Sequence, residues 1–419
     1  MTIQDRDTAM KARAQSPALL VLEDGTVYEG KACGAVGEAY GEICFNTSLV
    51  GYLEVLSDAS YAGEIITMTY PQIGNYGVAR ADMQRDKIAA AGLVVHEMCY
   101  EPSNFRSDIS LPDFLCEQGV VAIDGIDTRA LVQHIREVGT MRAVISTGDL
   151  DSMSLLEKVK ASPELTGRNL VRDISISEPY EYDGAVDDAA YGFALSPAPK
   201  ATHHVVAYDC GAKRGILRNL YRAGCRVTVV PWDTPAADVL ALHPDGVFIS
   251  NGPGDPQPVD ATYSAVRELI GKVPLFGICL GCQMLGLAAG ATTERLRFGH
   301  HGGNHPVQNL LTGKVEITAQ NHNFGVVFDS MGKPVEGETG LVENADFGRI
   351  RLTHKNLNDG TLEGFQFLDV PAFCVQYHPE ASPGPTDSHY LFTAFTRLMD
   401  GRDDYLDIDI SADRLSEWR

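Results

Sequence analysis

The sequence predicts an α/β protein: a C-terminal open, mostly parallel sheet with helices on both faces, preceded by an N-terminal mixed β/α domain. Three observations carry that prediction. From His204 onward, short apolar runs alternate with amphipathic ones, the rhythm of strand–helix–strand units. Before Ser175 the chain instead mixes short β patterns with turns. Between the two, from Ser175 to Thr202, Glu178-Pro179, Tyr180-Glu181-Tyr182-Asp183-Gly184 and Pro197-Ala198-Pro199 break any period and mark a linker. The chain divides into a polar tail (1–17), an N-terminal domain (18–175), a linker (176–202), a second domain (203–400) and a C-terminal tail (401–419). A length of 419 residues suits two or three domains at about 150 residues each.

In the first domain, Ala18–Leu22 and Thr26–Tyr28 flank Glu23-Asp24-Gly25, a hairpin with Asp-Gly at the turn. Further β runs are Ile43–Phe45, Ile65–Thr69 and Gly92–Val95. A helix is expected over Thr128–Val138, capped by Asp127, ended by Gly139, with Leu131, Ile135 and Val138 on one face. In the second domain, Val205–Tyr208, Arg226–Val230, Gly246–Ser250 and Val273–Ile278 read as buried strands. Helices fall around Ile216–Tyr221 and over Val259–Ile270 and Leu280–Ala289. Ligands of such sheets bind beyond the carboxyl ends of the strands, so the residues after each strand are the ones to inspect.

Composition excludes several functions. The chain carries 56 acidic against 34 basic residues, a net charge of -22, which argues against nucleic acid or an anionic membrane as a partner. No apolar run approaches the roughly 18 residues of a membrane span. Met1–Ser16 has no apolar signal core. The nine cysteines are scattered, as expected of reduced thiols in the cytoplasm.

Three strand ends carry chemistry. In Gly277-Ile278-Cys279-Leu280-Gly281 a buried strand runs into a helix with a cysteine at the junction and a glycine two residues to either side, the cysteine version of a nucleophile elbow. A helix N-terminus favours a thiolate there, and the Leu280 N–H faces a developing oxyanion. In His378-Pro379-Glu380 the imidazole and carboxylate are two residues apart, so in extended chain they point the same way and the acid orients the base. Ser250-Asn251-Gly252-Pro253-Gly254-Asp255-Pro256 is a rigid turn with bare N–H groups, suited to a second oxyanion donor. Taken singly, the bland reading of each is a buried thiol at a tight turn, a loop histidine and a surface loop. Convergence of all three on one sheet edge favours the catalytic one.

Two other patterns rank lower. Cys279-Leu280-Gly281-Cys282 is formally C-x-x-C, but Cys282 falls inside the helix and no second pair exists for zinc. Gly299-His300-His301-Gly302-Gly303-Asn304-His305 holds three histidines, yet in a Gly-rich loop with no acidic ligand close behind; a structural loop near the active site, and no metal, is expected.

Taken in order, these three strand-end motifs resemble the class I, triad-type glutamine amidotransferases. Phe298–Val307, Gln320–Phe324, Pro379–Pro385, Phe45–Ser48 and Tyr70–Asn75 are more similar still to the small, glutamine-hydrolysing subunit of carbamoyl phosphate synthase. The resemblance spans roughly residues 18–400. It implies Cys279 as nucleophile, His378 as general base and acid, and Glu380 as its orienter, with oxyanion N–H groups from Leu280 and Gly252. It implies a glutamine site of Ser60, Gly252, Gly254, Leu280, Gln283, Asn321, Asn323 and Phe324, close to the domain boundary because Ser60 belongs to the first domain. No cofactor is expected on this chain, which has no P-loop. ATP and Mg belong to a large synthetase subunit, which takes the ammonia and makes carbamoyl phosphate from bicarbonate for pyrimidine and arginine biosynthesis. Departures from the family pattern are Cys282 for the usual His, Asn323 and Tyr377 for the usual Gly, and a longer segment, Asp329–Glu343, expected as a surface insertion. The rival readings are a glutaminase of another pathway, a catalytically silent scaffold subunit and a cysteine peptidase.

Overall fold

The computed structural model describes residues 16–191 and 199–408. All but the last two residues of the N-terminal tail, and residues 409–419 of the C-terminal one, lie outside the described residues. Two compact units form. One holds the described residues up to Arg168 together with Arg297–His301; the other holds Asn169–Leu296 and the chain from Gly302 on.

The first unit is a closed barrel of seven strands. Around it run Pro17–Leu22, Val27–Ala32, Val121–Asp124, Gly92–Val94, Glu64–Met68, Glu38–Asn46 and Arg142–Ser146. The first two are the expected hairpin: Gly25 takes φ 94° at the turn and the Asp24 carboxylate accepts the Thr26 N–H at 2.9 Å. Side chains alternate across the barrel wall. Leu20, Leu22, Ile43, Phe45, Ile65, Val94, Ile123 and Ile145 make one core; Cys44, Ile66, Leu93, Val95 and Ala122 face the other way, against Tyr52, Leu56, Tyr61 and Phe114. The helix Thr128–Val138 forms where expected, with the Asp127 carboxylate on the Ala130 N–H and Gly139 at its end. Val138 departs from the expectation. It is 55% exposed although it lies on the same helix face as Leu131 and Ile135, at the helix's last residue before Gly139.

The second unit is built on a twelve-stranded sheet. Its five central strands are parallel, in the order Cys225–Pro231, His203–Asp209, Gly246–Ile249, Leu275–Ile278, Ala372–Val375. Antiparallel strands Leu362–Phe367, Gly348–Asn356, Thr293–Asn309 and Val315–Val326 extend it. Helices cover both faces. Val206, Tyr208, Val247 and Ile249 pack with Asp260–Leu269 and Leu280–Ala288, while Val205, Ala207, Val227 and Val229 pack with Arg214–Arg222 and Tyr390–Met399. Among the described residues no helix is long and apolar enough to cross a membrane.

Three segments carry more structure than their sequences suggested. Within 176–202, Tyr180–Glu181 pairs antiparallel with Thr228–Val229 and Gly184–Tyr191 is helical. The Gly-rich stretch 299–305 is not a loop but part of the seventeen-residue strand Thr293–Asn309, because pairing across the sheet supplies an order its composition lacks. Asp329–Glu343 contributes the short strand Lys333–Pro334 and most of Leu341–Asn344, which pairs with it and with Gly348–Asn356 and whose Leu341 and Val342 are buried, so it is an extension of the sheet and not only surface. Beyond Gly401, Tyr405, Leu406 and Ile408 pack on the second unit's core.

Candidate active site

The site grows from the strand Leu275–Ile278, flanked by parallel neighbours on both sides. The Cys279 N–H donates to Val375 O at 2.9 Å, so the sheet holds the chain up to the cysteine itself. There the chain turns at φ 55° and ψ −106°, a conformation that L residues rarely adopt, and the helix Leu280–Ala288 begins at once. The flanking glycines make the turn passable. A Cβ on Gly277 would lie 2.5 Å from Gly281 O, and one on Gly281 would lie 2.1 Å from Ile249 O. Within the first helical turn, the N–H groups of Cys282 and Gln283 bond to Cys279 O, at 3.0 and 3.2 Å. The N–H groups of Leu280 and Gly281 precede any intrahelical acceptor.

His378 follows the strand Ala372–Val375, which pairs directly with the strand leading to Cys279. Its N–H donates to Ala319 O at 2.8 Å, fixing the backbone. Nδ1 lies 2.7 Å from Glu380 Oε1. The Cys279 thiol donates to Asn321 O at 3.5 Å, leaving His378 Nε2 without a hydrogen bond. Burial alone would lower the imidazole pKa; the Glu380 carboxylate, and then the Cys279 sulfur, push it up to about 10, against the nearby Lys213 ammonium. Burial would raise the Glu380 pKa, but Lys213 and then His378 bring it down to about 2. Acid and base are thus held as a buried ion pair, with the sulfur close enough to act on the imidazole.

Lys213 is the residue that sequence reasoning missed. Only 3% exposed, it reaches Glu380 Oε1 at 2.9 Å and donates to Ala381 O at 2.7 Å. Its own N–H donates to Asn251 Oδ1 at 3.1 Å, and the Asp209 carboxylate accepts the N–H groups of Gly211 and Ala212 just before it. A signal existed, since Lys213 stands four residues after the strand His203–Asp209, at the same sheet edge as the three motifs.

The turn Ser250–Pro256 leaves the strand Gly246–Ile249, next to the strand leading to Cys279. A Cβ on Gly252 would lie 2.3 Å from Cys210 O and 2.6 Å from Leu280 Cδ2, so only glycine allows this approach to the helix start. Gly254 adopts φ 76°. Gln283, one turn into the helix, donates from Nε2 to Phe324 O at 2.7 Å, which ties Phe324 and, on the same strand, Asn321 and Asn323 to the helix. Asn323 does not need the left-handed backbone that a usual glycine suggests; it lies in the regular strand Val315–Val326. Ser60 belongs to the other unit, where it is buried and donates its N–H to Asp58 Oδ1 at 2.9 Å. Cys282 turns away from Cys279: the Cys374 thiol donates to its sulfur at 3.0 Å, and burial raises its pKa well above the thiol range.

Comparison with known proteins places these features in context. Residues 20–145 match the family model described as carbamoyl-phosphate synthase small chain, CPSase domain, and residues 206–398 match that of class I glutamine amidotransferases. The chain is 51% identical over 383 residues to the carbamoyl phosphate synthase small chain of Syntrophotalea carbinolica, spanning 91% of this chain and 98% of that protein. For the same-named protein of Rhodopirellula baltica the identity is 48% over 396 residues (93% and 98% covered). For that of Chlorobaculum tepidum it is 49% over 387 residues (92% and 98% covered).

Proposed function

The chain belongs to the family of carbamoyl phosphate synthase small chains, and from that premise we propose how its own residues carry out the glutaminase reaction of such a subunit, L-glutamine plus water giving glutamate and ammonia. The Cys279 thiolate attacks the γ-amide carbon and forms a C–S bond. The N–H groups of Leu280 and Gly252 take the charge on the amide oxygen. His378, held by Glu380 and in turn by Lys213, gives a proton to the departing nitrogen, and the C–N bond breaks to release ammonia. A glutamyl thioester remains. His378 then takes a proton from water, whose oxygen attacks the thioester carbon; the C–S bond breaks, returning the Cys279 thiolate and protonated His378, and the product leaves as glutamate after giving its carboxyl proton to solvent. Gly254, Gln283, Asn321, Asn323 and Phe324 shape the second unit's part of the glutamine site. A neutral amide is a poor electrophile, so the oxyanion donors matter; losing one costs about 10²–10³ in rate.

The partner is the large subunit. In this reading it binds ATP and Mg and receives the ammonia in a heterodimer, in the cytoplasm where nine free thiols stay reduced. The observation that supports the mechanism most is Cys279 held at positive φ between strand and helix, with the buried His378–Glu380 pair on the adjoining strand's extension. Its test is Cys279→Ser in the full chain assembled with the large subunit. Glutamine hydrolysis is abolished, while carbamoyl phosphate synthesis from free ammonia persists. Retained glutamine hydrolysis refutes the assignment.

A further inference from the structure

The histidine cluster at 300–305 offers no metal set by itself, but the fold brings one of its members to donors from far along the chain. In the first unit, Cys44 of the strand Glu38–Asn46, Glu64 of the strand Glu64–Met68 and His301 place their sulfur, carboxylate oxygen and imidazole nitrogen within 4.8 Å of one another. All three are buried: Cys44 at 0%, His301 at 1% and Glu64 at 2% exposure. From these observations we propose that Cys44, Glu64 and His301 form a divalent-metal site of the zinc type in the first unit.

Several features of the surroundings support it. A thiolate, a carboxylate and a neutral imidazole form a mixed S, O, N set that suits Zn²⁺, with a water or a fourth protein oxygen completing a tetrahedron. Metal–donor bonds of about 2.0–2.3 Å put tetrahedral donors roughly 3.3–3.8 Å apart, so the three groups need to close by only about 1 Å. One thiolate and one carboxylate carry two negative charges, and a divalent cation neutralises them where an uncompensated charge is costly.

The ligands are pre-positioned. Strand register places Glu42 directly beside Glu64, and Cys44 two residues on from Glu42, so Glu42, Cys44 and Glu64 share one face of the barrel wall. Glu42 is also buried, at 5%, which adds a second carboxylate next to the cluster. The Tyr61 ring stacks on the His301 ring at 5.9 Å between centroids, Phe45 meets it edge-on at 6.3 Å, and the Thr47 hydroxyl donates to His301 O at 3.3 Å. These contacts fix the imidazole plane as supporting contacts do at known metal sites. Bound metal would join two barrel strands to the 297–301 segment. Because the site is closed to solvent, the metal enters as the unit folds.

The test uses the full chain expressed in minimal medium supplemented with either zinc or cobalt and purified without chelator. Elemental analysis of the zinc-grown protein is expected to find one equivalent per chain. The cobalt-grown protein is expected to show a sulfur-to-cobalt charge-transfer band in the near ultraviolet. Cys44→Ser removes that band, whereas Cys279→Ser, which alters the other candidate thiol, leaves it. Glu64→Gln keeps all three positions polar and lowers metal affinity by at least the roughly 10–100-fold that losing even a supporting partner costs. Wild-type protein that carries no stoichiometric metal and shows no band overturns the site, whatever the variants do. So does a band lost in Cys279→Ser and kept in Cys44→Ser. If Cys44→Ser does not fold, the metal content and band of the wild type, set against Glu64→Gln, decide the matter.

Discussion

Replacing Glu380 by Gln tests the electrostatic frame of the site more severely than removing the nucleophile does. Glu380 is fully buried and faces two cations, Lys213 at 2.9 Å and His378 at 2.7 Å. At an effective dielectric of about 20, a pair 2.9 Å apart attracts by about 6 kcal/mol. Taking both ions out of water costs several kcal/mol each, so the intact pair is close to neutral for stability. Breaking it is different. The neutral amide introduced by Glu380→Gln leaves the Lys213 ammonium buried with no counter-charge, and such uncompensated charges cost about 3–5 kcal/mol. Lys213→Met costs less, because Glu380 keeps the imidazolium as its cation. The double variant Glu380→Gln/Lys213→Met removes both charges and is more stable than Glu380→Gln alone, with a coupling energy of about 2 kcal/mol or more. Activity does not follow stability. Without the orienting carboxylate, kcat falls by up to about 10⁴, and the second substitution does not restore it. Urea titrations of all four proteins give the cycle, and a coupled glutamate assay gives kcat. A Glu380→Gln protein within about 0.5 kcal/mol of wild type, together with additive double-variant energies, would refute the buried pair as drawn.

Two further outcomes follow from the same geometry. Gly252→Ala forces a Cβ into space 2.3 Å from Cys210 O, so the turn must move its N–H off the oxyanion; kcat is expected to fall about 10²–10³, and steady-state kinetics showing an unchanged kcat counts against Gly252 as donor. Stability should also depend on pH through the triad. His378 titrates near 10 when folded against an ordinary 6.5, so its contribution is complete below pH 6.5 and is lost as pH rises through 10. Glu380 titrates near 2 against 4.5, so its contribution is complete above pH 4.5 and is lost as pH falls through 2. The stability difference between wild type and His378→Asn should therefore shrink steadily from pH 6.5 to 10; chemical denaturation across that range showing a flat or growing difference contradicts the raised imidazole pKa.

How far the sequence could be read depended on whether the information was local. The helix Thr128–Val138 was legible to the residue because its cap, its apolar stripe and its terminating glycine all lie within thirteen positions. Cys279 was legible for the same reason. The flanking glycines and the strand-to-helix change are written in five consecutive residues, and the steric cost of a Cβ at either glycine explains why those residue types stand there. The strand through 299–305 was not legible. Glycines and histidines have no β signature of their own, and the order there comes from pairing with the strand Val315–Val326, which follows it.

Lys213 and the Cys44–Glu64–His301 cluster show what local patterns miss. A buried lysine after a strand is indistinguishable, in one dimension, from a solvated one; only the carboxylate that descends on it from 167 positions further along defines its role. Likewise, His301 reads as a loop residue until the barrel register puts Cys44 and Glu64 on one face of the wall. In both places a charged or ligating group is withdrawn from water and meets a group from far along the chain. Burial of such a group is costly unless a partner arrives through tertiary structure. The productive question for a chain of this kind is therefore not which residues form a motif, but which buried polar residues have no local reason to be buried. Lys213 answers it with Glu380. Glu64, two residues from Ile66 on a wall otherwise given to core packing, answers it with a thiol and an imidazole, and the metal content of the purified chain is what tells an occupied ligand set from a hydrogen-bonded one.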